Sequence, residues 1–233
     1  MFMVVIKKKK RKVKVMSFNI RSCQDCQLDN IINYLGTKKS DIICLQEVDI
    51  FSKYCPVNIC DLINEKLGFN YKYLKTIDRK VKGQYGICIF SKYPIIEYEE
   101  YYYHNYNEKR GLQRIKVFIP KLKEEYNIFN THLDYKHNRD LQVKECLDII
   151  DKYNSNCILC GDLNLNPTEE IYNKLTEKFR EINYSNTYSA KRPKQILDYI
   201  LLNKNNDITY KYMVDDVILS DHKPLICYIT KKK

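Results

Sequence analysis

The chain of 233 residues carries 40 Lys+Arg against 29 Asp+Glu, a formal net charge of +11, with only 6 Gly and 6 Pro. This length suits one large domain, and the scarcity of glycine and proline excludes low-complexity linkers. No run of about 18 apolar residues occurs, which excludes a membrane-spanning helix.

Met1 to Ile6 is apolar but too short for a secretory leader, and its charges follow rather than precede it. Lys7 to Lys12 is a basic run with two readings, a localisation or nucleic-acid patch and an exposed tail. Residues 1–12 therefore read as a basic lead-in, and 13–233 as one folded domain. Apolar runs predict strands at 13–18, 41–46, 70–75, 84–90, 94–103, 113–119, 126–132, 157–161, 196–202, 208–213 and 224–229. Many are continuous apolar runs, as strands buried on both faces require.

Helices fall between them. Leu28, Ile31, Ile32 and Leu35 share one helical face, with Gly36 as the stop. Ile59, Leu62, Ile63 and Leu67 repeat that spacing between Asn58 as cap and Gly68 as stop. Val143, Cys146, Leu147 and Ile150 form a third stripe, and Thr168 with Glu169 and Glu170 opens a fourth helix through an acidic first turn. The class is α/β or α+β, and the pattern alone leaves the topology open.

Six of the strand ends carry polar chemistry. Cys157-Ile-Leu-Cys-Gly-Asp-Leu-Asn164 is the clearest: an apolar run stops at Gly161 and presents Asp162 and Asn164 two residues apart, on one face of an extended chain. Asn19 follows Val13 to Met16, Glu47 follows Ile42 to Leu45, and His132 follows Ile128 to Asn130. Asp198 borders Tyr199 to Leu202, and Asp221-His222 precedes Pro224 to Tyr228. A lone Asp or His in a turn is usually a cap or a solvated side chain. Six in succession point to a shared site of metal-ligand and acid–base groups.

In order, Ser-Phe-Asn19, Leu-Gln-Glu47, Thr-His132, Gly-Asp162-Leu-Asn164, Leu-Asp198-Tyr and Ser-Asp221-His222 resemble the signature of the endonuclease/exonuclease/phosphatase superfamily, over about residues 13 to 229. That superfamily includes pancreatic DNase, abasic-site endonucleases, inositol phosphatases, neutral sphingomyelinases and tyrosyl-DNA phosphodiesterases. The resemblance implies a four-layer sandwich, two packed mixed sheets flanked by helices, with the active site at one end of the sheets. It also implies hydrolysis of phosphate esters assisted by Mg²⁺, with Mn²⁺ as an alternative.

The implied roles carry over position by position. Glu47 is the candidate ligand for a hard cation, with Asn19 and Asp221 beside it. Asp162 orients the attacking water, and Asn164 holds that water or a phosphoryl oxygen. His222 binds phosphate or moves a proton with Asp198 fixing its tautomer, and His132 is a second phosphate ligand or acid. Arg110 resembles a phosphate-contacting arginine and reads equally as a solvated turn charge. Specialist subfamilies fit less well. Arg21 stands where abasic-site endonucleases carry an acidic residue, and Gln195-Ile-Leu-Asp198 replaces the Trp-Cys-Asp-Arg of inositol phosphatases.

The positive charge suits a nucleic-acid substrate, with anionic phospholipid or inositol phosphate as the alternative, and it also fits a coding bias towards lysine. A catalytically silent binding protein on the same scaffold is the third reading. Ten cysteines without a secretory leader predict free thiols in a reducing intracellular setting, cytoplasmic or nuclear, and a monomer is expected. Cys23/Cys26 and Cys157/Cys160 have zinc-like spacing, but the second pair lies within a strand, where positions three apart face opposite ways. Tyr98, Tyr101, Tyr102, Tyr103 and Tyr106 read as alternating sheet residues or as a stacking surface. His104 and His137 read as surface residues.

Overall fold

The computed structural model describes residues 12–104, 108–153, 156–181 and 184–232. Most of the basic lead-in, together with Tyr106, lies outside the described residues. Eleven strands and four helices follow in the order β1 (Val13–Asn19), α1 (Leu28–Lys38), β2 (Ile42–Ile50), α2 (Ile59–Leu67), β3 (Asn70–Asp78), β4 (Gln84–Ser91), β5 (Ile95–Tyr102), β6 (Gly111–Ile119), β7 (Glu124–His132), α3 (Arg139–Ile150), β8 (Cys157–Asp162), α4 (Tyr172–Lys178), β9 (Asp198–Leu202), β10 (Ile208–Val214) and β11 (Leu225–Lys231).

The strands form two mixed sheets, ordered β10-β11-β1-β2-β4-β3 and β5-β6-β7-β8-β9. Only β1 with β2 and β7 with β8 pair in parallel. Strand alternation explains the layers. Val13 and Val15 of β1 face the second sheet and pack with Ile128, Ile158, Cys160 and Ile200, whereas Met16 and Phe18 turn to α1 and α2. On β8, Ile158 and Cys160 face inward while Cys157 and Leu159 meet α3 and α4. The result is helix, sheet, sheet, helix, the sandwich expected from the resemblance.

Local signals set the helix ends. Asn58 Oδ1 accepts the Cys60 N–H at 3.0 Å to cap α2, and Gly68 ends it at φ 65°. Two expectations shift. Gly36 stays inside α1, which runs on to Lys38 and ends with Lys39 in the left-handed conformation. The helix expected from Thr168 starts at Tyr172, because Glu169 instead accepts the Asn166 N–H at 2.8 Å and pairs with Arg139 at 2.7 Å. Its carboxylate closes a turn rather than opening a helix.

All ten cysteines are free, and Cys157 and Cys160 point to opposite layers, which removes the zinc reading for that pair. The tyrosines divide by face: Tyr101 and Tyr103 pack towards α3, and Tyr102 is exposed. His104 is exposed and pairs with Glu145 at 3.2 Å, and His137 is exposed. No helix among the described residues is long and apolar enough to cross a membrane.

Gly161 sits at φ 155°, and a Cβ there would lie 2.2 Å from the Thr131 carbonyl oxygen. Glycine is what lets β8 lie this close to β7 just before Asp162. Gly161→Ala should therefore destabilise the fold by roughly 2 to 4 kcal/mol, readable as a drop in Tm of about 2–4 °C per kcal/mol. An unchanged Tm would show that this close approach is absent.

Candidate active site

Strand register gathers the polar ends. His132, Asp162 and Asp198 are lateral partners across β7, β8 and β9, and Asn19 pairs with Gln46 across β1 and β2. Along the face between the sheets β1, β2, β7 and β8 each turn from apolar to polar towards their C-terminal ends. Val13 and Val15 give way to Ser17 and Asn19, Ile42 and Cys44 to Gln46, Ile128 to Asn130 and His132, and Ile158 and Cys160 to Asp162. The apolar core thus ends in a buried polar layer, where Asn130 donates to the Leu45 and Cys88 carbonyls at 3.0 and 3.1 Å and accepts from Gln46 Nε2 at 2.8 Å.

Above that layer, Asp162 is the hub. It is 1% exposed, and its Oδ2 accepts from Asn19 Nδ2 at 2.9 Å and lies 3.5 Å from His132 Nε2 and 3.6 Å from His222 Nε2. Its Oδ1 accepts the Asn164 N–H at 3.0 Å. Burial raises the Asp162 carboxyl above the usual carboxylate range, and Asp198 adds to this against the opposing pull of His222. His222 Nδ1 stands 2.9 Å from Asp198 Oδ2. Burial alone would lower the His222 pKa, but Asp198 and Asp162 together outweigh it and hold the imidazole in its charged form.

The second histidine is tuned the other way. His132 Nδ1 lies 2.8 Å from Arg110 Nη1 and 3.3 Å from the Tyr85 hydroxyl. Burial, then the positive charges of Arg110 and His222, pushes the His132 pKa well down, so this imidazole is neutral. A guanidinium can only donate, so Nδ1 accepts from Arg110, while Nε2 lies 3.2 Å from the Asn164 amide nitrogen and 3.5 Å from Asp162 Oδ2. Arg110 is 4% exposed and donates to Glu108 at 2.7 Å, so it is not a solvated turn charge.

Glu47 lies at a bulge in β2 with φ 51°, an irregularity that re-aims its side chain into the cleft. Its Oε1 accepts from Asn19 Nδ2 at 3.0 Å, while Asn19 Oδ1 takes the Arg21 N–H at 3.0 Å. Burial raises the Glu47 carboxyl, as expected for an acid with no cationic side chain paired to it among the described residues. Asp221 lines the same cleft 3.5 Å from Arg21 Nε. Glu47 and Asp221 leave an excess of carboxylate oxygen on one wall, a donor set that fits a hard divalent cation. Ligand atoms of Asp162, Asp198 and His222 also lie within 4.8 Å of one another. This trio is a second set of donors that a cation could use, and without one the imidazole sits between two carboxylates.

The cleft encloses about 550 Å³ and is lined by Glu47, Arg110, His132, Asp162, Asn164, Asp221 and His222. Asn19 and Asp198 sit behind this lining, each bonded to a residue that faces it. All nine residues named from the sequence for catalysis, metal or phosphate therefore lie in one cluster. Arg139, part of the resemblance on the helix after Thr-His132, borders the cleft beside Glu169. Two further contributors escape sequence reading: Tyr85 bridges Arg110 and His132, and the Tyr188 ring lies tilted against the His222 ring at 4.8 Å. The tyrosines carry no signal of their own among 21 in the chain.

The fold has known counterparts. An endonuclease/exonuclease/phosphatase from Bacteroides vulgatus superposes with a TM-score of 0.77 at 17% identity, covering 96% of this chain and 100% of its own. Sphingomyelinase C from Streptomyces griseocarneus gives 0.73 at 16% identity, over 94% and 99% of the two chains. D. rerio TDP2 complexed with a single-strand DNA product gives 0.73 at 17%, over 94% and 99%. Identities this low establish a common fold only. Among curated proteins, none matches in sequence. The model of the Endonuclease/Exonuclease/phosphatase family, whose members are hydrolases of phosphate esters, matches residues 16–222, and this chain belongs to that family.

Proposed function

We propose that the protein is a Mg²⁺-dependent phosphodiesterase that cleaves nucleic acid by attack of water. The carrying observation is the Asp162 carboxylate, buried between the two histidines and one amide away from Glu47. A carboxylate so placed can accept a proton from water at the mouth of the cleft. One opposite charge, the His222 imidazolium 3.6 Å away, favours its ionised form.

In this reading, Arg110, Asn164 and the charged His222 donate to the phosphoryl oxygens, where negative charge grows during attack. His222 also supplies a proton towards the leaving oxygen, with Asp198 holding its ring and charge. Neutral His132 sets its Nε2 against Asp162 and the Asn164 amide and so helps keep both in place. Glu47 would hold the cation, with Asn19 and Asp221 in support, and a bound Mg²⁺ would neutralise a phosphoryl oxygen as a Lewis acid. The net charge of +11 supports a polyanionic substrate, and the ten free thiols accord with a reducing intracellular setting. We treat residues 13–233 as one catalytic domain acting as a monomer.

Replacing either carboxylate tests the assignment. Asp162→Ala and Glu47→Ala should each lower Mg²⁺-dependent turnover more than ~100-fold with little change in Tm, and EDTA should abolish the wild-type rate. A panel of duplex and single-stranded DNA, RNA, inositol phosphates and sphingomyelin decides the substrate. Near-normal turnover by either variant sinks the mechanism, and hydrolysis of sphingomyelin alone sinks the nuclease assignment.

The pH dependence follows from the same pair. Burial pushes Asp162 up to about 7, and it must be ionised to accept a proton, so kcat/KM should rise through that pH. Against the opposing effect of burial, the neighbouring carboxylates push His222 up to about 10, and it must be protonated to donate, so the rate should fall there. Asp198→Asn removes a negative charge that favours imidazolium, and burial then dominates. Its alkaline limb should move at least about one pH unit lower. An alkaline limb left in place by Asp198→Asn would show that His222 is not the acid.

A further inference from the structure

A second cavity of about 610 Å³, within the range of about 300–1,000 Å³ typical of ligand sites, opens beside the first. It lies between the loop after β2 and the β3–β4 hairpin. Gly83 makes that arrangement, since a Cβ there would fall 2.6 Å from the Phe51 carbonyl carbon and oxygen. Its floor is an ion pair, Arg79 Nη2 on Asp49 Oδ1 at 2.7 Å, with the Asp49 side chain fully buried. Tyr54 on one wall is 49% exposed, and Lys53 sits 5.9 Å above its ring.

The wall shared with the catalytic cleft is thin. Arg79 lies 4.5 Å and Arg110 6.0 Å from the Tyr85 ring centroid, and Glu108 lines the second cavity while accepting from Arg110 Nη2 at 2.7 Å. A polymer held at Arg110 by one phosphate thus has its next residue at the edge of this slot.

Charge selects the occupant. Each acid at the slot already has a cation: Asp49 has Arg79, Asp78 has Lys75 at 3.0 Å, and Glu108 has Arg110. Lys53, Lys80 and Lys82 are exposed and, among the described residues, belong to no ion pair. The slot therefore offers an exposed aromatic ring, apolar walls and uncompensated lysines, the combination that binds single-stranded nucleic acid by stacking and phosphate contact.

We infer that this cavity is a nucleotide subsite, in which the base flanking the scissile phosphate stacks on Tyr54 while Lys80 and Lys82 hold the adjoining phosphates. The inference rests on the phosphodiesterase reading above and narrows its substrate to single strands.

Two measurements on the full chain test it. Binding of a fluorescein-labelled oligothymidylate, followed by anisotropy in EDTA over a salt series, reads the subsite without turnover. Hydrolysis of bis(p-nitrophenyl) phosphate in Mg²⁺ reads the catalytic cleft without bases. Tyr54→Ala should raise the oligonucleotide Kd about 10-fold. The pair Lys80→Ala with Lys82→Ala should lower the slope of log K against log salt by about 1 to 2. All three substitutions should leave bis(p-nitrophenyl) phosphate turnover unchanged. Unaltered affinity and slope in these variants overturn the subsite. So does a loss of binding to anionic phospholipid vesicles with oligonucleotide affinity retained, which would make the slot a lipid face. If wild-type protein hydrolyses neither the oligonucleotide nor the small diester, the catalytic reading falls instead, while the anisotropy series still decides the subsite.

Discussion

One constraint shapes this molecule: a carboxylate is buried at the seam between two sheets and must be kept ionisable there. Asp162 is 1% exposed, deep enough that an unpartnered charge would cost several kcal/mol. Asn19 from the first sheet and the Asn164 N–H beyond β8 donate to it, and the His222 imidazolium 3.6 Å away adds a favourable charge. The same contacts that make the buried charge tolerable also set its place in the cleft. The polar layer beneath extends the arrangement, because Asn130, Gln46 and Gln113 must pair among themselves and with strand carbonyls once water is excluded. Such a network tolerates few alternative registers, which ties strand pairing to site geometry.

Much of this is legible in the sequence because the controlling signal is periodic. The alternation that sends Val13 and Val15 inward also fixes where Asn19 points, so a polar residue closing an apolar run marks a site position through its spacing alone. The Asn58 cap and the Gly68 stop are equally local. What escapes depends on long-range contact. Tyr85 reaches His132 across 47 positions, and nothing near it in the chain distinguishes it from a sheet tyrosine. The start of α4 falls later than its acidic turn suggests for the same reason, since Glu169 is claimed by Arg139, 30 residues away. Arg110 has two equal readings in the sequence because a turn arginine is ordinarily solvated. Burial under Tyr85 and Glu108 is invisible from its neighbours.

Backbone conformation adds what alternation cannot. Glu47 at φ 51° and Asn164 at φ 49° lie in the left-handed region, and Gly161 at φ 155° immediately precedes Asp162. Regular strands would send these side chains straight on between the sheets; the irregular residues turn them into the cleft. Residues other than glycine adopt such angles at a cost of roughly 1–3 kcal/mol, sustained only where surrounding contacts fix them. Here the Asn164 side chain bonds the Leu133 carbonyl at 3.0 Å, and Glu47 is held by Asn19. The strain thus sits on residues that face the cleft and is absorbed by the paired sheets.

The division between strand ends and loops explains why class and substrate are separable. The strand ends carry carboxylate, amide and imidazole groups that suit any phosphate ester, and they are fixed by sheet register. Substrate choice must then come from elements free to vary without disturbing that register, namely the loops beyond the ends. A TM-score of 0.77 at 17% identity is what such a system permits, because layer packing requires apolar pattern and volume rather than particular side chains. The hairpin bearing Lys80 and Lys82 meets the catalytic wall through Arg79, which bonds Asp49, and Tyr85, which adjoins Arg110 and His132. Its tip can change charge or shape without moving Asp162. On the proposed reading, discrimination among substrates belongs to contacts outside the cleft, and the cleft supplies the bond-breaking step to whatever those contacts deliver.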